Sequence, residues 1–195
     1  GLSISRGASL ERTGFGDVDS WVAAQNIWPG SAGDRGSPGA AYVPITPTPI
    51  PALTLVLVPT STPMEATPIP SPTQTPSPMA TAPPAALPRL FISEFMADPA
   101  VVPDVQGEWL EIHNAGAESV NVKGWLLSDL DRDRHVIGQD LVVAPGQYIV
   151  LARSGDMAAN GNVPTDYVYS GLQLANGDDE LVLTAPWGVE VDRVV

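Results

Sequence analysis

Cysteine is absent from all 195 residues, which excludes both a disulfide scaffold and thiolate-ligated metal. Basic residues are scarce: nine Lys and Arg stand against 22 Asp and Glu, for a net charge of −13. A field of that sign repels a phosphate backbone and an anionic membrane surface, which argues against nucleic acid as a direct partner. Long apolar runs are missing too. The longest, Leu53 to Val58, falls far short of the ~18–20 residues of a spanning helix, so no membrane insertion is expected. His113 and His135 are the only imidazoles, and there is no Gly-x-Ser-x-Gly elbow. Nucleophilic catalysis therefore has little to stand on, and no enzyme is expected.

Proline is plentiful but unevenly spread. Fourteen of the 21 prolines fall between Val43 and Pro88, a stretch with no glycine and one charge, Glu65. Dense proline favours extended conformers and removes amide donors, while Ser and Thr build no core. Residues 43–88 therefore read as a long disordered Pro/Thr-rich linker of the stalk type. Its 46 residues reach on the order of 140 Å when stretched. Leu53 to Val58 interrupts the linker with a β-prone hexamer, which is expected to dock because an exposed one invites aggregation. The charge divides around the linker, with −1 in residues 1–42 and −11 in residues 89–195.

Residues 89–195 read as strands throughout. Leu90 to Met96 is apolar and bounded by Asp98-Pro99. From Glu108 to His113 the pattern alternates, with Leu110 and Ile112 on one side and Trp109, Glu111 and His113 on the other. Val120 and Val122 start an alternation that slips phase at Lys123-Gly124, which predicts a β-bulge at Gly124. Ala144-Pro145-Gly146-Gln147 is placed for a type II turn, and Leu172-Gln173-Leu174 before Asn176-Gly177 predicts a hairpin. Leu181, Leu183, Val189 and Val191 alternate around Pro186-Trp187-Gly188. About seven short strands and no 3.6-residue period indicate an all-β, antiparallel β-sandwich.

Several motifs carry a family likeness: Ile92-Ser93-Glu94-Phe95-Met96, Gly107-Glu108-Trp109-Leu110-Glu111-Ile112-His113-Asn114, Gly124-Trp125-Leu126-Leu127-Ser128-Asp129, Ala144-Pro145-Gly146, and the run from Leu172 to Leu181. In that order they resemble a bacterial lamin-tail domain, and the likeness covers most of 89–195. The resemblance implies an immunoglobulin-like sandwich. It also implies a closing Ser-Leu-Glu-Arg element and a Trp before a Pro-Gly, which stand here as Ser9-Leu10-Glu11-Arg12, Trp21 and Pro29-Gly30. These lie ahead of the linker. The expectation is a piece of a tandem array: residues 1–42 as the end of one module, 43–88 as linker, and 89–195 as a second module cut at its last strand. The N-terminal piece is expected to supply the missing closing strand, within the chain or across a strand-swapped dimer.

The chemistry on offer is sparse. Asp129, Asp131 and Asp133 make an Asp-x-Asp-x-Asp cluster of the kind that holds calcium. Arg134 stands where a calcium loop needs glycine, however, so a solvated hairpin loop is the simpler reading. Asp178-Asp179-Glu180 is a second acidic loop. No cofactor is expected, with calcium as the one candidate. Trp109, Glu111, His113 and Trp187 are the ligand-contact candidates, as residues of the polar face and of a turn tip, Trp being common at binding hot spots; the alternative for Trp109 is cover by a neighbouring loop or by the missing final strand.

The function expected is a non-enzymatic binding or scaffold module of an exported, bacterial cell-surface protein, mediating attachment to a protein or a cell-envelope polymer. One alternative is the accessory domain of a surface hydrolase or nuclease whose catalytic part is not in this chain. Another is a calcium-dependent adhesin.

Overall fold

The structure is a computed structural model and describes residues 2–14, 20–41, 86–129, 133–177 and 180–194. Linker residues 43–85, with Leu53 to Val58, lie outside the described residues, as do Asp131, Asp178 and Asp179.

The strands in chain order are β1 (Leu10–Arg12), β2 (Trp21–Ala23), β3 (Leu90–Met96), β4 (Trp109–Asn114), β5 (Val120–Asn121), β6 (Leu126–Ser128), β7 (Arg134–Val136), β8 (Val142–Val143), β9 (Tyr148–Ala152), β10 (Tyr167–Val168), β11 (Leu181–Thr184) and β12 (Glu190–Val194). One short helix, α1 (Asp104–Gly107), precedes β4. A six-stranded sheet runs β10-β9-β4-β3-β1-β2, a four-stranded sheet runs β12-β11-β6-β7, and β5 pairs with β8. Among the described residues, every pairing between these strands is antiparallel except β9 with β10.

Period-two alternation explains the layers. Leu110 and Ile112 of β4, Ile149 and Leu151 of β9, and Ile92 and Phe95 of β3 point to one side of the large sheet. There they meet Trp125, Leu127, Leu181 and Leu183 from the second sheet in one apolar core. This is the immunoglobulin-like sandwich, built on alternating apolar side chains.

Residues 2–41 belong to the same compact unit as residues 86–194. β1 pairs with β3 through Leu10↔Phe95 and Glu11↔Glu94, and β2 pairs outside β1. The strand they add thus lies beside β3, the first strand of the sandwich, and not beside β12, the last. β12 reaches the same place through one side chain. Asp192 accepts from Arg12 Nη1 at 2.8 Å, from Arg12 Nη2 at 3.1 Å and from the Ile92 amide at 2.8 Å.

Two sequence expectations are corrected. Gly124 is a turn rather than a bulge: its φ is +80°, and the Trp125 amide donates to the Val122 carbonyl at 3.1 Å. That left-handed position favours glycine, and it carries the chain from β5 in one sheet to β6 in another. Residues 172–174 form no strand. Leu172 and Leu174 are buried, but the Leu174 amide donates to Glu108 Oε2 at 3.1 Å, and β11 pairs with β6 and β12 instead.

Candidate functional site

The outer face of the large sheet holds an unusual row. Glu11 pairs with Glu94 across β1 and β3, and Glu94 pairs with Glu111 across β3 and β4. Paired positions share a face, so three carboxylates stand at one level on adjacent strands roughly 5 Å apart. The register of β3 with β4 shifts between Ile92 and Glu94, leaving Ser93 as the extra residue. That bulge places Ser93 beside the row, where its hydroxyl donates to Glu111 Oε1 at 2.6 Å.

Residues 34–41 cover the row. Arg35 runs beside Ala8, and Asp34 accepts the amides of Ala100 at 2.9 Å and Val101 at 3.4 Å, which ties the segment down. The Ser37 amide donates to Glu94 Oε1 at 2.8 Å, and the Gly39 amide donates to Glu111 Oε2 at 2.6 Å. Ser37 Oγ lies 2.8 Å from both Glu11 Oε1 and Glu94 Oε2. A Cβ on Gly36 would come within 2.8 Å of Glu94 Oε1 and 2.9 Å of Ser9 Oγ, so the cover fits only with glycine there.

Glu94 and Glu111 are each 1% exposed. Burial pushes the Glu94 carboxyl up to about 7, with the Ser9 and Ser37 hydrogen bonds opposing it and the Glu11 charge adding to it. Burial pushes Glu111 up to about 8, and the neighbouring Glu94 charge raises it further. Glu11 is also raised by burial. Beside the row lies a cavity of about 140 Å³ bordered by Glu11, Arg12, Ser37, Glu94, Glu111 and Tyr148. A space of that size admits a few waters.

Trp109, Glu111 and His113 do share a face, as the alternation predicts, but that face is closed. Trp109 is fully buried under Trp28 in an edge-to-face contact with centroids 6.1 Å apart. His113 stacks on Tyr148 at 4.0 Å and donates from Nδ1 to the Gln147 carbonyl at 3.2 Å, and burial lowers its pKa. Their expected exposure to solvent is corrected: residues 28–41 cover Trp109 and Glu111, and Tyr148 covers His113. Trp187 is different. It caps the β11–β12 hairpin, half-buried, with its ring edge-to-face on Trp125 at 6.0 Å.

Of the acidic cluster, Asp129 and Asp133 serve their own hairpin. Asp129 Oδ1 accepts the Asp133 amide at 2.9 Å, and the Asp129 amide donates to the Asp133 carbonyl at 3.0 Å. Asp131 lies outside the described residues. Among the described residues no three His, Asp or Glu side chains are arranged to hold a metal ion. His135 stands apart from this turn, with Nε2 2.9 Å from the Tyr167 hydroxyl.

Sequence reasoning missed Glu11 and Glu94. Ser93-Glu94 in the middle of an apolar strand was the available signal, because two consecutive polar residues break the alternation and mark a bulge.

Residues 83–195 match the family model described as the lamin tail domain. No curated protein matches the chain.

Proposed function

The chain belongs to the lamin tail domain family, and on that premise we propose that it is an attachment module of an exported bacterial surface protein. The family supports a non-enzymatic binding or scaffold role. The observation that carries the reading is the engagement of both imidazoles. His113 is stacked on Tyr148 and bonded to a main-chain carbonyl, and His135 is held by Tyr167 and Ser170. These contacts give both rings aromatic and main-chain partners, a structural use of the imidazole. The remaining surface is acidic, with −11 carried by residues 89–195, which suits a neutral or basic protein or envelope polymer rather than a nucleic acid. Trp187 offers the accessible aromatic edge for such a contact.

Two assays on the purified chain test this reading. Co-sedimentation with insoluble bacterial cell-envelope polymer should retain the chain, and Trp187→Ala should weaken retention several-fold without changing the melting temperature by more than a few degrees. Esterase, protease, nuclease and glycosidase substrates should remain unturned. Turnover abolished by changing His113 or His135 would overturn the proposal.

A further inference from the structure

We propose that the Glu11–Glu94–Glu111 row is a proton-loaded latch: at least one carboxyl keeps its proton in the folded chain, and ionisation of the row releases residues 36–41 from the sheet.

The argument begins with a count of hydrogens. Ser37 has one hydroxyl proton, yet its Oγ sits 2.8 Å from a carboxylate oxygen of Glu11 and 2.8 Å from one of Glu94. It can donate to one of them only. The other contact is a hydrogen bond only when that carboxyl carries a proton and donates to Ser37. Ser9 repeats the pattern, with its Oγ 3.2 Å from the Arg35 carbonyl and 2.5 Å from Glu94 Oε1. Two hydroxyl protons thus face four acceptor oxygens. Two unprotonated oxygens held 2.5 to 2.8 Å from a hydroxyl oxygen with no hydrogen between them repel. A proton on Glu94, or one shared along the row, supplies a hydrogen to one of these contacts and so lessens the shortfall.

The surrounding charge points the same way. On β1, β3 and β4 the acidic groups at the row are its own carboxyls, Glu11, Glu94 and Glu111, with Arg12 on β1 and His113 on β4 as the other titratable neighbours. On β9 it faces Tyr148, whose phenol is itself raised by burial and by Glu111 and so is neutral. His113, stacked on Tyr148, has its pKa lowered by burial. Residues 36–41 bring hydroxyl and amide donors and carry no charge. Arg12 borders the same cavity, but its guanidinium holds Asp192 on the other side of the sheet and leans over Trp21 at 5.2 Å. With burial this complete, three adjacent negative charges are strongly unfavourable.

The consequence follows from linkage. Carboxyls whose protons are held more tightly in the latched state than in the open one favour latching at low pH. Latching weakens as pH rises from the ordinary glutamate value of 4.5 to about 7 for Glu94 and about 8 for Glu111. The Ser37 and Gly39 amides favour the ionised carboxylates, but burial opposes them more strongly, so the charged row gains by reaching water when residues 36–41 lift, while the apolar side of the same sheet feels nothing.

Amide hydrogen exchange on the full chain tests this, read at Ser37 and Gly39 and corrected for the intrinsic rate. Protection at these two amides should fall at least tenfold between pH 5 and pH 8, with Ile112 and Leu151 unchanged. The Glu94→Gln/Glu111→Gln variant, neutral at every pH, should show a flat profile. A flat profile in the unchanged chain, including one that becomes pH-dependent only after chelation of divalent cations, overturns the latch. The same fall persisting in the double variant overturns it too. Carbon-13 titration of the glutamate carboxyls in the unchanged chain needs no variant: neither Glu94 nor Glu111 titrating above pH ~6 would contradict the proposal.

Discussion

The inner face of the six-stranded sheet and the carboxylate row on its outer face are both buried and chemically opposite. On the inner face Leu10, Phe95, Leu110, Ile112, Ile149 and Leu151 are all at most 4% exposed, and their contacts are apolar. On the outer face Glu94 and Glu111 are as deeply buried, but every oxygen there must find a donor. Apolar burial is non-directional and scales with area, so the inner face tolerates exchanges of similar shape. The carboxylate row depends on particular atoms of Ser9, Ser37, Gly39 and Ser93. One face provides stability in bulk, whereas the other makes it conditional on position and on protons.

Breaking the link between N-terminal segment and sandwich should have the largest effect among single substitutions. The side chains of Arg12 and Asp192 are 1% and 7% exposed. Asp192→Ala would leave a buried guanidinium without its carboxylate and the Ile92 amide without its acceptor, at a cost of about 3–5 kcal/mol. Urea unfolding should show the midpoint fall with little change in slope. A loss below about 1 kcal/mol would mean that Arg12 finds water, and that the segment is less firmly seated than its contacts imply.

A small change on the inner face sharpens the contrast from the other side. Ile112→Val removes one methylene from a fully buried position and should cost about 0.5–1.5 kcal/mol. Thermal unfolding at pH 5 and at pH 8 should return the same decrement, because Ile112 faces only apolar neighbours. A decrement that varied with pH would mean the two faces are coupled through the sheet.

Much of this architecture was legible in the chain itself. The apolar run of β3, the alternation of β4, and the Pro145-Gly146 turn, where Gly146 has φ +74°, all stand where their patterns put them. What period-two reading cannot tell is whether a polar face is wet or covered, since Glu111 and His113 look alike in either case. The cover came from residues 28–41, some 70 positions upstream of β4. The row itself needed the register of three strands and a bulge at Ser93, both fixed by tertiary pairing rather than local sequence. Leu172 and Leu174 failed as a strand for a related reason: the Leu174 amide was taken by Glu108, a side chain far away in the chain.

Removing residues 1–41 from the chain tests the central claim, that this segment is part of the sandwich and seals its outer face. Without it β3 loses its edge partner, Trp109 loses Trp28, and Glu94 and Glu111 lose their amide donors. The account predicts a melting temperature lower by more than ~10 °C, equivalent to several kcal/mol, or loss of the cooperative transition. A truncated chain that melts cooperatively at the temperature of the whole one would contradict it.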